Sequence, residues 1–188
     1  MATKQSYNNM LKQDLGELIV AVDLPDLNKH FLRSRWLDQV LWAEGRANSA
    51  RNRHYALRLI AIIGGVIVPA LVSLNVQTAV ATAVSWITFT ISLAVAISLA
   101  VESFFRWGER WTNYRKLSEQ LKGEGWLFFQ LAGPYAASGS HAKAYPEFAQ
   151  RVEALVSSDV ETFITQLARE KSKQGQADAD SAGATGQS

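Results

Sequence analysis

The chain has no cysteine, which excludes disulfides, thiolate metal ligation and a cysteine nucleophile together. Proline is scarce, and none lies between Pro69 and Pro134. The N-terminal stretch MATKQSYNNMLKQDLGELIV has no basic n-region leading into an apolar h-region and a small-residue cleavage site, so no cleaved signal peptide is expected. No GxxxxGK[ST] loop and no GxSxG elbow is present. A formal charge of +2 and a pI near 8.9 are too mild for the dense basic face that nucleic acid requires. The most informative absence is charge itself. From Arg58 to Glu102, RLIAIIGGVIVPALVSLNVQTAVATAVSWITFTISLAVAISLAVE holds no charged side chain between its two ends. A mean hydropathy of -0.04 hides this block, because polar flanks average against it.

As one helix, those roughly 43 neutral residues would be about 64 Å long, twice the hydrocarbon thickness of a bilayer. The stretch must therefore fold back, and its only locally polar place is Ser73-Leu74-Asn75-Val76-Gln77-Thr78. A turn there leaves 55–74 and 79–101, each near the roughly 20 residues of a spanning helix. In a soluble domain, about 145 other residues would have to cover both helices on every side. A β reading fails because no further alternating segments exist to close a barrel. The expected fold is all-α: a two-helix transmembrane hairpin (55–101) continuing into a cytoplasmic helical bundle. Arg46, Arg51, Arg53 and Arg58 precede the first span, Arg106, Arg110, Arg115 and Lys116 follow the second, and the turn has no basic residue. This bias predicts a multi-pass protein of the inner (plasma) membrane with both termini cytoplasmic.

The flanks divide into an N-terminal segment 1–25, a helix over 26–54 leading into the membrane, cytoplasmic helices over 102–172 and a disordered tail over 173–188. Leu27, Phe31, Leu37, Val40 and Leu41 recur at helical spacing after Pro25, with Asp26 as cap. After the second span, ESFFRWGERWTNYRKLSEQLKGEGWLFFQL predicts one helix running on from the membrane, with Gly123 and Gly125 as weak points. A further helix is expected to open at Pro146 and to place Phe148, Val152, Leu155, Val160, Phe163 and Leu167 near one face.

Enzymatic chemistry finds no constellation. His30, His54 and His141 lie far apart without helical partners at metal-ligand spacing and read as exposed or interfacial. Ser140 beside His141 is not the geometry of a nucleophile and its base. No catalytic residue, metal site or cofactor is expected. The second span is more informative: Thr78, Thr82, Ser85, Thr88 and Ser92 follow at steps of 4, 3, 3 and 4, so five hydroxyls share one helical stripe. They either line a water-filled path or satisfy themselves on the backbone and pack. Glu102, the first charge after the neutral block, would form a carboxylate ring in an oligomer, at the cytoplasmic mouth with Arg106 and Glu109. Alternatively Arg106 neutralises it one turn on, in a solvated charged seam. Gly64, Gly65 and Pro69 interrupt the first span, as a packing surface or a hinge. Trp107, Trp111 and Trp126, with Phe104, Phe105, Phe128 and Phe129, read as an interfacial belt merging into a bundle core.

The run RWLDQVLWAEGRANSARNRHYALRLIAIIGGVIVPALVSL, followed by RWGERWTNYRKLSEQLKGEGWLFFQLAGPYA, resembles the SLATT-type two-transmembrane family, a bacterial group of unknown function. The similarity covers roughly residues 30 to 170. It implies a membrane effector, of pore-forming type, coupled to nucleotide-signalled defence modules. Two helices cannot enclose a path alone, so a homo-oligomer is implied, helped by small-residue faces such as Ala79-xxx-Ala83 and Ala96-xxx-Ala100. The expected partners are further copies of the chain, the lipid bilayer and inorganic cations, with no nucleic acid. The expected function is a cation-preferring channel or pore; the alternative is a non-conducting scaffold or anchor whose cytoplasmic helices recruit a partner.

Overall fold

The computed structural model describes residues 2–73, 81–158 and 165. The turn expected near Asn75, Thr78, Ala79, the positions Val160, Phe163 and Leu167 and the tail 173–188 lie outside the described residues. Among the described residues regular structure is entirely helical: α1 (Ala2–Ala21), α2 (Asp26–Phe31), a π-helical turn (Leu32–Leu37), α3 (Asp38–Ser73), α4 (Ala81–Phe105), α5 (Trp107–Phe129), a 3-10 turn (Gly133–Tyr135) and α6 (141–158). The chain forms two compact units, one of Met1–Leu41 with Leu117–Ser188 and one of Trp42–Lys116.

The first unit is built around aromatic rings. In α1, Leu15 and Ile19 are one turn apart and buried, and Val22 and Leu24 extend that face past the helix end. Pro25, with φ −57° and ψ 150°, sets the extended entry to α2, and Asp26 opens the helix without a side-chain cap. The π turn has a packing cause. Leu32 and Leu37, five positions apart, would diverge by about 140° on an α-helix; one wider turn lets both point inward with Trp36, and all three are buried. The Trp36 indole N–H donates to the Leu121 carbonyl at 2.9 Å, and its ring meets Phe129 at 5.6 Å and Phe148 at 6.1 Å. Phe128 completes the cluster, 4.4 Å from Phe148 and 5.7 Å from Tyr135.

Two expectations are corrected here. Gly123 and Gly125 are not weak points, since α5 runs through both to Phe129. Gly125 is instead a close approach, because a Cβ there would run into the Trp36 ring. Likewise α6 opens at His141, a turn ahead of Pro146. Ser140 caps it, its hydroxyl accepting the Lys143 N–H at 3.4 Å and its carbonyl the Ala144 N–H at 3.1 Å. Ala144, Phe148 and Val152 then recur every fourth residue on the buried face. The end of α5 is a Schellman closure, with Ala132 N–H on Leu127 O and Leu131 N–H on Phe128 O, and it holds Leu131 at φ 49°.

In the second unit, α3 and α4 belong to stretches long and apolar enough to cross a membrane, Asp26–Ser73 and Thr82–Phe105. Only 6% of each apolar window is buried. Leu59, Ile62, Val66, Val72, Trp86, Ile87, Phe89, Ile97 and Leu99 are exposed. A continuous apolar surface of this kind needs lipid or other chains to cover it. α4 does not run on into α5. Arg106 interrupts the path at φ 48°, and its carbonyl accepts the N–H groups of Glu109 and Arg110, so it ends one helix and caps the next.

Candidate functional site: the α3–α4 seam and the hydroxyl face of α4

α4 meets α3 along one seam. Gly64 of α3 is buried against Val95 and Ile91, leaving no room for a Cβ. Four residues along from Ala94, Ser98 is 5% exposed and donates its hydroxyl to the Ala94 carbonyl at 2.8 Å. At the end of the neutral block, His54 Nδ1 and Glu102 Oε1 lie 2.6 Å apart. Val84, Thr88, Ile91, Val95, Ser98 and Glu102, at steps of 4, 3, 4, 3 and 4, form this face.

The hydroxyl stripe does not coincide with it. At about 100° per residue, the stripe is centred roughly a quarter turn from the seam, and only Thr88 belongs to both. Thr82 and Ser85 are exposed, and Thr88 and Ser92 are half-buried. Thr88 donates to the Val84 carbonyl at 2.8 Å, and Thr90, off the stripe, to the Trp86 carbonyl at 2.9 Å. Packing against α3 therefore does not account for Thr82 and Ser85. Gly65, unlike Gly64, has open space where a side chain would begin, with nothing within 4 Å of that point. Pro69 stands inside α3 and lacks the N–H that would bond the Gly65 carbonyl.

Glu102, Arg106 and Glu109 are resolved differently from a simple charged seam. Glu102 turns toward α3, with Oε1 on His54 and Oε2 buried without a hydrogen-bond partner among the described residues. Arg106, displaced by the backbone break, pairs with Glu109. His54 is thus not merely exposed or interfacial; its ring also lies 3.1 Å from where a Gly108 side chain would begin. Sequence spacing had no means of finding this pair, whose members are 48 positions apart. Around it stand Tyr55 and Trp111, with ring centroids 5.9 Å apart, and Trp107 under the Arg53 guanidinium at 4.6 Å. Further along, Arg115 pairs with the buried Glu44 at 2.8 Å, and Trp42 meets Tyr114 edge-on at 5.5 Å.

The first unit holds a second polar centre that sequence reasoning missed. Glu124, 7% exposed, accepts Arg151 Nε at 2.5 Å and Nη2 at 3.1 Å, together with the Tyr135 hydroxyl. Burial pushes the Glu124 carboxyl up, but Arg151 and Tyr135 outweigh it and hold it below its ordinary value. Burial first, and Glu124 second, raise the Tyr135 hydroxyl. A bidentate pair between Arg35 and Glu153, at 2.7 and 2.8 Å, lies nearer the surface and holds the Glu153 carboxyl low. Among the described residues no group of three His, Asp or Glu side chains is placed to hold a metal.

These features define a helical protein with two helices able to cross a membrane and an aromatic-cored helical unit. A model of the family described as Protein of unknown function (DUF4231) matches residues 38–143, and the chain belongs to that family. The matched region runs from the start of α3 through the Gly-Pro-Tyr turn and includes His54, Glu102, Glu124 and Tyr135. No curated protein and no solved structure matches the chain.

Proposed function

We propose that the chain is an oligomeric, multi-pass protein of the inner membrane, with both termini cytoplasmic, that forms a cation-preferring pore lined by α4 and has no catalytic role. The observation that carries this reading is the exposure of Thr82 and Ser85 on a face of α4 turned away from α3. A polar stripe whose Thr82 and Ser85 end is exposed and directed away from α3 is suited to an axis shared by several copies. The apolar remainder of α3 and α4 provides the lipid-facing surface, and basic residues at both ends of the hairpin support the orientation. Glu102, held by His54 on the α3 side of α4, ends the neutral block and, with Arg106 and Glu109, supplies the charge at the cytoplasmic mouth in this reading. The likeness to SLATT-type two-transmembrane proteins favours the same class.

Purified protein in liposomes should pass monovalent cations. Thr82→Val with Ser85→Val should reduce the flux strongly, and Glu102→Gln should lower conductance or selectivity. No flux above empty liposomes, from a preparation shown to be oligomeric, would sink the proposal. A second reading, a non-conducting scaffold, is favoured by Thr88, Thr90 and Ser98, whose hydroxyls are already bonded to their own backbone. It requires that the stripe tolerate Val substitution without loss of function, while changes on the α6 face around Phe148 abolish partner capture.

A further inference from the structure

Where the neutral block ends, the charges are arranged unevenly. The His54–Glu102 contact sets α3 and α4 level with each other at that point. Trp107, the first residue of α5, stands there with two guanidinium groups over its ring, Arg53 of α3 at 4.6 Å and Arg110 of α5 at 5.7 Å from the centroid. The two positive charges are therefore no more than about 10 Å apart, within roughly one screening length of each other. Phe105 lies nearly parallel to the indole, with centroids 5.2 Å apart, and buttresses the ring.

Neither Arg53 nor Arg110 forms an ion pair or side-chain hydrogen bond among the described residues, while the nearby acids are engaged, Glu102 with His54 and Glu109 with Arg106. The start of α5 adds the positive end of its dipole, although the Arg106 carbonyl already takes the N–H groups of Glu109 and Arg110. Two guanidinium groups on one indole ring, with no counter-ion among the described residues, are suited to an anion that accepts hydrogen bonds from both. The amphipathic Trp107 ring suits the depth of lipid headgroups.

We propose that Arg53 and Arg110, held over Trp107, bind the phosphate of an anionic lipid headgroup at the edge of the α3–α4 hairpin. The inference rests on the membrane placement proposed above, though not on conduction. A bound headgroup reinforces the Arg53–Trp107 contact that already joins α3 to the start of α5, and so ties the α4–α5 junction to the bilayer's composition.

The test is native mass spectrometry of the full chain in detergent micelles, with phosphatidylglycerol, phosphatidylcholine or inorganic phosphate added singly. Phosphatidylglycerol should bind in preference to phosphatidylcholine, and Arg53→Gln with Arg110→Gln should weaken it about 30-fold, at roughly one Arg contribution each. Arg46→Gln with Arg51→Gln, which removes the same charge, should weaken it less than about 3-fold. Trp107→Leu should also lose the preference, whereas Trp107→Phe should keep most of it. Equal losses in the two double variants would mean general attraction and overturn the site. Equal binding of inorganic phosphate would overturn the lipid assignment. Release of the wild-type chain from membranes by alkaline carbonate refutes the membrane placement, whereas a retained chain without headgroup preference refutes only this site.

Discussion

Replacing Glu124 by Leu probes the buried polar centre of the first unit most directly. Three hydrogen bonds converge on this carboxylate, two from Arg151 and one from Tyr135. The Tyr135 side chain is fully buried, so its hydroxyl would be left without an acceptor, at about 1–3 kcal/mol. Arg151 is different, because its side chain is 45% exposed and its guanidinium can rehydrate. Its loss costs nearer the ~1 kcal/mol of a surface pair than the 3–5 kcal/mol of a fully buried one. The sum is about 2–4 kcal/mol, or a Tm lowered by roughly 5–12 °C in a chain of this size. Thermal unfolding of the full chain in detergent, followed by near-ultraviolet circular dichroism of the Phe128–Tyr135–Phe148 cluster, would read it. Tyr135→Phe should cost less, since Glu124 keeps Arg151. The same pair carries a pH signature. Glu124 is held below its ordinary value when folded, so its contribution is present above the unfolded carboxylate range and is lost as pH falls through the lower folded value. Wild-type Tm should therefore fall on acidification from about pH 5 toward pH 3, and Glu124→Leu should fall less. A Glu124→Leu variant as stable as wild type, with an unchanged acid profile, would refute the reasoning.

Three further outcomes follow from packing and backbone. Gly125→Ala drives a methyl into the buried Trp36 ring, which is fixed by its bond to Leu121, and should cost about 1–3 kcal/mol in the same melt. Gly64→Val should separate α3 from α4 at Val95 and lower the detergent stability of the hairpin, whereas Gly65→Val, with open space around it, should change it little. Arg106→Gly relieves a left-handed residue at the α4–α5 junction and should raise stability by about 0.5–1 kcal/mol, against a small loss from the exposed Glu109 pair; a drop would mean that the pair outweighs the strain.

The legible features were those written in short windows. The neutral block, its two apolar helices and the helix opening at Asp26 are visible as composition and period within a few turns. The hydroxyl stripe was legible as well, because a period of 3.6 places Thr82, Ser85, Thr88 and Ser92 on one side regardless of what surrounds them. Its meaning was not, because a stripe has no reference direction until α3 is set beside it. The same limit applies to Gly123 and Gly125: as isolated glycines they read as breaks, and only the Trp36 ring across the interface turns Gly125 into a required gap. Ser140 shows the reverse failure, a local cap overlooked beside a more conspicuous proline at Pro146.

By itself, the sequence determined the helical class, the two apolar helices and the positive charge at their flanks, since hydropathy, charge and periodicity are properties of neighbours along the chain. Tertiary structure alone decided the pairing of His54 with Glu102, the clustering of Arg53 and Arg110 on Trp107, and the closing of Arg151 and Tyr135 on Glu124. It also turned the chain at Arg106, where continuity of composition predicted continuity of helix. Each of these joins separate helices or sets the path between them, and the choice among partners there is made by burial and geometry, which no window of residues contains.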